Sequence, residues 1–224
     1  SRTSEVGSAN PPMFLRLSRS SLISWASARP PDRTGAPAAP FAVNQTVHPS
    51  NKRLEHDLRM CVKYKVPIVI SSLGAVPEVN EAIHSYGGIV LHDIINNRNA
   101  DSAIRKGADG LIAVAAGAGG HAGPQSPFAL VQEIREWFDG PLLLSGAIAN
   151  GNSILAAQAM GADMAYIGSP FIATDEARAV DEYKQMIVDS GAKDIVYSNY
   201  FTTNINCSIV YNCSYVFSKR RANC

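Results

Sequence analysis

"KGADGLIAV" at residues 106–114 returns as "MGADMAYIG" at 160–168, and this internal repeat carries the reading of the fold. Each copy runs from the end of a helix-like stretch through Gly-Ala-Asp into a short apolar run. Gly107 and Gly161 stand where a helix should stop, because glycine accepts the left-handed backbone that ends one. The runs that follow lack polar alternation. They read as strands covered on both faces, as in a parallel sheet flanked by helices.

The same pattern extends in both directions. Six apolar runs follow one another: "FAVN" at 41–44, "PIVISSL" at 67–73, "GIVLHDI" at 88–94, "GLIAVAA" at 110–116, "PLLLSGA" at 141–147 and "MAYIGSP" at 164–170. Between them, Leu54, Leu58, Cys61 and Val62 fall on one helical face, as do Val79, Ala82, Ile83 and Tyr86. Leu130, Val131, Ile134, Trp137 and Phe138 form a third such face. Ser126-Pro127 predicts a helix start with serine as N-cap, and Thr174 before Asp175 and Glu176 predicts another. Six βα units at nearly equal spacing favour a (β/α) barrel over a doubly wound sheet. No GxGxxG fingerprint follows the first strand, which argues against a dinucleotide fold.

The chain divides into three regions: 1–40, 41–190 and 191–224. The first is rich in Ser, Arg, Pro and Ala, with Arg16, Arg19, Arg29 and Arg33 among Leu, Ile and Trp. It reads either as a mitochondrial-type targeting segment or as a disordered leader. The last is rich in Asn, Tyr, Ser and Cys and has no clean period, although it has room for a strand.

With 46% hydrophobic residues the chain can build a sizeable core, and a net charge of +1 gives no electrostatic reason for a nucleic-acid partner. No apolar run has the length to span a bilayer. Three of the four cysteines (Cys207, Cys213, Cys224) crowd the tail without CxxC spacing, and Cys61 stands alone in the helical region. That usage suits an intracellular, cytoplasmic chain, with the mitochondrial address as the alternative. No HxH or HExxH spacing occurs, so no catalytic metal is expected.

In a barrel the working residues lie at the C-terminal strand ends and in the loops after them. Here those positions hold Asn44 and Thr46, Ser71-Ser72, His92-Asp93, the loop "AGAGGHAGPQSP" at 116–127, Ser145-Gly146-Ala147, and Gly168-Ser169. The last two are small turns leading to helices, and together their backbone N–H groups suit a phosphate. Of His92 and Asp93 only one should face the pocket, since successive strand residues point opposite ways. His121 has two readings, a surface loop histidine or a base whose ordinary pKa near 6.5 suits proton abstraction at neutral pH. His48, His56 and His84 lie on polar stretches and read as solvated.

From Gly107 to Ala177, "GADGLIAVAAGAGGHAGPQSPFALVQEIREWFDGPLLLSGAIANGNSILAAQAMGADMAYIGSPFIATDEA" resembles the nitronate monooxygenase (2-nitropropane dioxygenase-like) family. The resemblance covers roughly residues 40–200. It implies a (β/α)8 TIM-barrel-type enzyme that uses FMN and dioxygen to convert alkyl nitronates or nitroalkanes to a carbonyl compound and nitrite. The family's AGGH histidine falls on His121, as the base for a nitroalkane. Gly119 and Gly120 would let the flavin ring approach the backbone. Ser145, Gly146, Ala147, Gly168 and Ser169 would hold the phosphate, and Asn44, Thr46 and Asp93 would touch the flavin from earlier strands.

Three departures stand out. Ala147 replaces a common second glycine, Val114 replaces a common polar residue seven before the histidine, and "FAVN" resembles the family's third strand. On that reading the chain holds strands three to eight, an incomplete barrel with open edges. Two alternatives accompany the leading function: a flavin-dependent enoyl reductase, which would need a nicotinamide and an acyl substrate, and a non-catalytic truncated barrel.

Overall fold

The computed structural model describes residues 40–120, 122–198 and 207–210. The six apolar runs form one parallel sheet: β1 (Ala42–Thr46), β2 (Ile68–Ser72), β3 (Ile89–Ile94), β4 (Gly110–Val114), β5 (Leu142–Ser145) and β6 (Met164–Ala165). Its strand order is β1-β2-β3-β4-β5-β6, every pair parallel. A doubly wound sheet reverses its order at a switch point, and this one does not. It is a singly wound sheet of the TIM-barrel type.

The connecting helices are α1 (Leu54–Lys63), α2 (Pro77–His84), α3 (Asn97–Arg105), α4 (Pro127–Arg135) and α5 (Gly151–Ala159), followed by α6 (Ser169–Ile172) and α7 (Asp181–Asp189). Local chemistry sets their ends. The Asn96 and Asn150 side chains accept from Asn99 N and Ser153 N, capping α3 and α5. Ser126 occupies the N-cap of α4 as expected but its hydroxyl makes no cap bond; Pro127 at the first turn supplies the preset φ instead. Thr174 starts no helix. Its hydroxyl donates to the carbonyl of Phe171 at 3.0 Å, closing α6 instead of opening the next helix, and α7 begins only at Asp181.

Packing sorts the sheet into two faces. Val69 and Val90 turn outward with Cys61 and Ile83 of the helices, while Leu111, Ala113, Leu142 and Leu144 pack beneath Leu130, Val131, Ile134 and Ala157. Ile70, Ile89, Leu91, Ile112 and Leu143 form a separate cluster on the concave face, edged by Val114 and Tyr166. Trp137, expected on the buried face of α4, lies at its rim and donates to Asn97 Oδ1.

The opening repeat acquires a common job. Gly107 and Gly161 adopt φ of 96° and 110° and end their helices as the sequence implies. The aspartate after each then reaches across to the neighbouring strand. Asp109 accepts from Val90 N at 2.7 Å and contacts His84 Nε2 at 2.8 Å. Asp163 accepts from Leu142 N at 2.9 Å and from Arg135 Nη2 at 2.8 Å. Each carboxylate therefore ties the start of the preceding strand to a basic side chain, Arg135 or His84, at the strands' N-terminal end, opposite the face where barrels do chemistry. His84, expected to be solvated, is one of these partners; the Asp109 hydrogen bond raises its pKa against the opposing effect of burial.

The tail contributes a separate antiparallel pair, β7 (Ile195–Ser198) and β8 (Cys207–Val210). The leader, residues 1–39, and the rest of the tail lie outside the described residues.

Candidate functional site

The site is assembled by strand register. Asn44 pairs with Ile70 and Thr46 with Ser72. Asp93 pairs with Ile112, Ile112 with Leu143, and Val114 with Ser145. Because side chains alternate, Asn44, Thr46, Ser72, Asp93, Val114, Ser145 and Tyr166 share the concave face with the Ile112 cluster. Four residues chosen from sequence, Asn44, Thr46, Asp93 and Ser145, thus come to one surface at the C-terminal strand ends.

His92 turns the other way. It is 5% exposed on the helix-facing side, in register with Ser71, and its Nδ1 lies 2.7 Å from the carbonyl oxygen of Asp93. Asp93 is thus the member of this pair on the concave face.

The glycine loop between β4 and α4 is built on a closed base. Gly123 N donates to Val114 O at 3.0 Å and Ala116 N donates to Gln125 O at 2.8 Å. These two bonds bring the loop back to its own start, so residues 117–120 and Ala122 belong to a short lobe at its tip. His121 itself lies outside the described residues; both of its neighbours are placed. Gly123 has no room for a side chain, since a Cβ there would sit 2.7 Å from Ile95 O. Gly120 differs. Its φ is 79°, and a Cβ would meet nothing within 4 Å. One glycine is needed for packing, the other faces open space.

The lobe rests on both small turns. Ala147 N donates to Gly117 O at 2.9 Å, and a Cβ on Gly117 would lie 3.0 Å from that of Ala147. A Cβ on Gly119 would lie 3.6 Å from Ser169 Oγ. The amide of Ala147 therefore ties the β5–α5 turn to the lobe. Ala147 holds φ of 51°, and Gly146 before it 145°, so this turn is left-handed at two successive residues. A Cβ on Gly168 would meet nothing within 4 Å, so the next turn is open like Gly120.

Two further residues join the candidate site: Ser72, which the sequence placed at a strand end beside Ser71 without a role, and Tyr166, to which it gave none. Ser72 donates from Oγ to Asn44 Oδ1 at 3.0 Å. Tyr166 follows the two-residue strand β6, and its amide donates to Leu144 O. Their signal was present only as position at a strand end. Which face they took required the register.

Residues 28–209 match the nitronate monooxygenase family. A carboxyl-CoA dehydrogenase of the octahydroindene class from Rhodococcus jostii is 26% identical over 159 residues, 71% of this chain and 44% of its own length. A nitronate monooxygenase from Neurospora crassa is 27% identical over 150 residues, 62% of this chain and 39% of its own. This chain therefore spans less than half the length of these curated relatives. Among solved structures, FabK from Thermotoga maritima superposes with TM-score 0.72 at 25% identity, covering 84% of this chain and 59% of that one. A nitroalkane oxidase from Streptomyces ansochromogenes superposes with TM-score 0.69 at 25% identity, covering 77% and 62%. With 28–209 matched and the glycine loop seated on its two turns, the chain belongs to the nitronate monooxygenase family.

Proposed function

We propose that this chain carries the flavin and substrate site of an enzyme that oxidises alkyl nitronates or nitroalkanes with dioxygen to a carbonyl compound and nitrite. The observation that carries the proposal is the seating of the glycine lobe on the two small turns, Gly117 against Ala147 and Gly119 beside Ser169. It brings the loop that bears His121, the two turns and the polar concave face to one end of the sheet. FMN fits the residues present. Open space above Gly120 and Gly168 gives a flat ring and a phosphate access to backbone.

In this reading Ser145, Gly146, Gly168 and Ser169 would hold the phosphate through backbone amides and hydroxyls. Ala147, its amide given to Gly117, shapes that turn. Gly119 and Gly120 would border the ring, and Asn44, Thr46 and Asp93 would contact it from β1 and β3. When bound, FMN supplies the electron transfer to dioxygen. His121 removes the α-proton of a neutral nitroalkane onto its imidazole, or orients a nitronate already deprotonated. The apolar Ile112, Leu143 and Val114 surface gives the concave face an apolar floor beside these polar groups. The substrate is small and uncharged or singly anionic. No helix among the described residues is long and apolar enough to cross a membrane.

The test is a flavin titration followed by turnover. The protein should quench FMN fluorescence and consume dioxygen with a nitronate in the absence of NAD(P)H. His121→Ala should abolish turnover of the neutral nitroalkane while sparing much of that of the nitronate; equal rates in His121→Ala and wild type refute the base assignment. A second reading, flavin-dependent reduction of an acyl thioester, draws support from the relative named for a carboxyl-CoA. NAD(P)H-dependent consumption of an enoyl thioester without nitronate oxidation would select it. Protein that binds no FMN would instead select the non-catalytic reading.

A further inference from the structure

We propose that Ser72 is a positioning residue for Asn44, holding its carboxamide so that the Nδ2 hydrogens are offered to an acceptor atom of the bound flavin. The inference rests on the flavin reading above. It begins from a contact between residues 28 apart in sequence: Ser72 Oγ donates to Asn44 Oδ1 at 3.0 Å. A carboxamide has an accepting end and a donating end, and a hydroxyl donor on the oxygen decides which is which. Asn44 thereby presents its donating end.

The surroundings keep this arrangement in place. Ser72 is 7% exposed, while Asn44 is exposed on the concave face. Among the described residues no acceptor engages Asn44 Nδ2. The end of β1 is tied to β2 by Val47 N donating to Ser72 O at 3.0 Å. Asn51 Nδ2 donates to Thr46 O at 2.7 Å, fixing the same strand end from the loop that follows. With both backbones held, the Ser72 hydroxyl and the Asn44 amide keep their separation. Without the hydroxyl the two ends of the carboxamide become nearly equivalent, and the donor is no longer preset.

The experiment compares Ser72→Thr with Ser72→Val in the full chain. The two side chains have the same shape and differ in the hydroxyl. FMN affinity is read by fluorescence quenching, and the melting midpoint of the flavin-free protein is read alongside. Ser72→Thr should bind FMN within about twofold of wild type, and Ser72→Val about three- to tenfold more weakly, as for one lost hydrogen bond. In an Asn44→Ala background the Thr and Val variants should bind equally, because the group being positioned is gone. If Ser72→Val lowers the melting midpoint, Ser72→Ala replaces it with the same expectation. Equal binding by the Thr and Val variants, with wild type binding FMN, overturns the inference and leaves the flavin reading intact. A Val defect that persists undiminished in the Asn44→Ala background overturns it too. A wild-type chain that binds no FMN overturns both together.

Discussion

Replacing Asp163 with asparagine should destabilise the protein by about 2–3 kcal/mol, and the structure supplies the terms. Asp163 Oδ2 accepts from Arg135 Nη2 at 2.8 Å and from Leu142 N at 2.9 Å. Arg135 is spread over three carbonyls as well, donating to Gly161, Phe138 and Gly140. The two side chains are 14% and 16% exposed, so the charges are mostly removed from water. A hydrogen bond to a charged group in such a place contributes about 1.5–3 kcal/mol, and breaking a fully buried pair from one side costs about 3–5. Asparagine keeps the shape and can still accept from Leu142, but it leaves the guanidinium without its counter-charge. The expected loss of about 2–3 kcal/mol therefore lies within the range for a charged hydrogen bond and below that for a fully buried pair.

Equilibrium urea denaturation followed by circular dichroism measures the effect. With a slope of about 2 kcal/mol per molar urea, the midpoint should fall by about 1–1.5 M with the slope unchanged. Adding Arg135→Met should cost less than the sum of the two single changes, since one interaction cannot be lost twice. Glu55→Gln, which breaks the exposed pair with Arg59 at 2.6 Å, serves as the surface comparison and should cost under about 0.5 kcal/mol. An Asp163→Asn loss no larger than that of Glu55→Gln would refute the clamp.

Two further outcomes test other parts of the structure. Gly123→Ala should destabilise by about 2 kcal/mol or more, because its Cβ would press on Ile95 O and Val114 O, whereas Gly120→Ala should cost only about 1–2 kcal/mol of backbone strain while weakening FMN binding. Thermal melts and flavin titration of both variants separate packing from site; a Gly123→Ala protein as stable as wild type contradicts the packed-loop description. The His84–Asp109 pair gives a pH signature. His84 is raised above its ordinary value by Asp109, so its contribution is complete below pH 6.5 and is lost as pH rises through the higher folded value. The stability gap between wild type and His84→Gln should therefore shrink between pH 6 and 8, and a gap that grows with pH reverses the assignment.

Much of the fold was legible because it depends on spacing along the chain. Apolar runs of strand length, separated by helical periods and ended by Gly107 and Gly161, allow little besides a parallel βα sheet. The candidate site was legible to the level of strand ends, where register puts Asn44, Thr46, Asp93 and Ser145 on one face. What failed were inferences about where a side chain's hydrogen bond goes. Thr174 looked like a helix start, yet its hydroxyl turned back to Phe171. His84 looked solvated, yet it found Asp109 from the next βα unit.

The sequence by itself determined the order of elements and the places where the chain turns, because glycine conformations, caps and periodicity act over a few residues. Tertiary structure alone decided which distant groups became partners. The Gly-Ala-Asp repeat was visible as a repeat, but only the packing of neighbouring units gave its aspartates Arg135 and His84. The family resemblance separated Gly119 and Gly120 from the other glycines of "AGAGGHAG", but only the fold set Gly123 against Ile95, Gly117 against Ala147 and Gly120 toward open space. The reason is physical. Register and sheet curvature are settled by burying the whole set of apolar faces at once, and no local stretch contains that information.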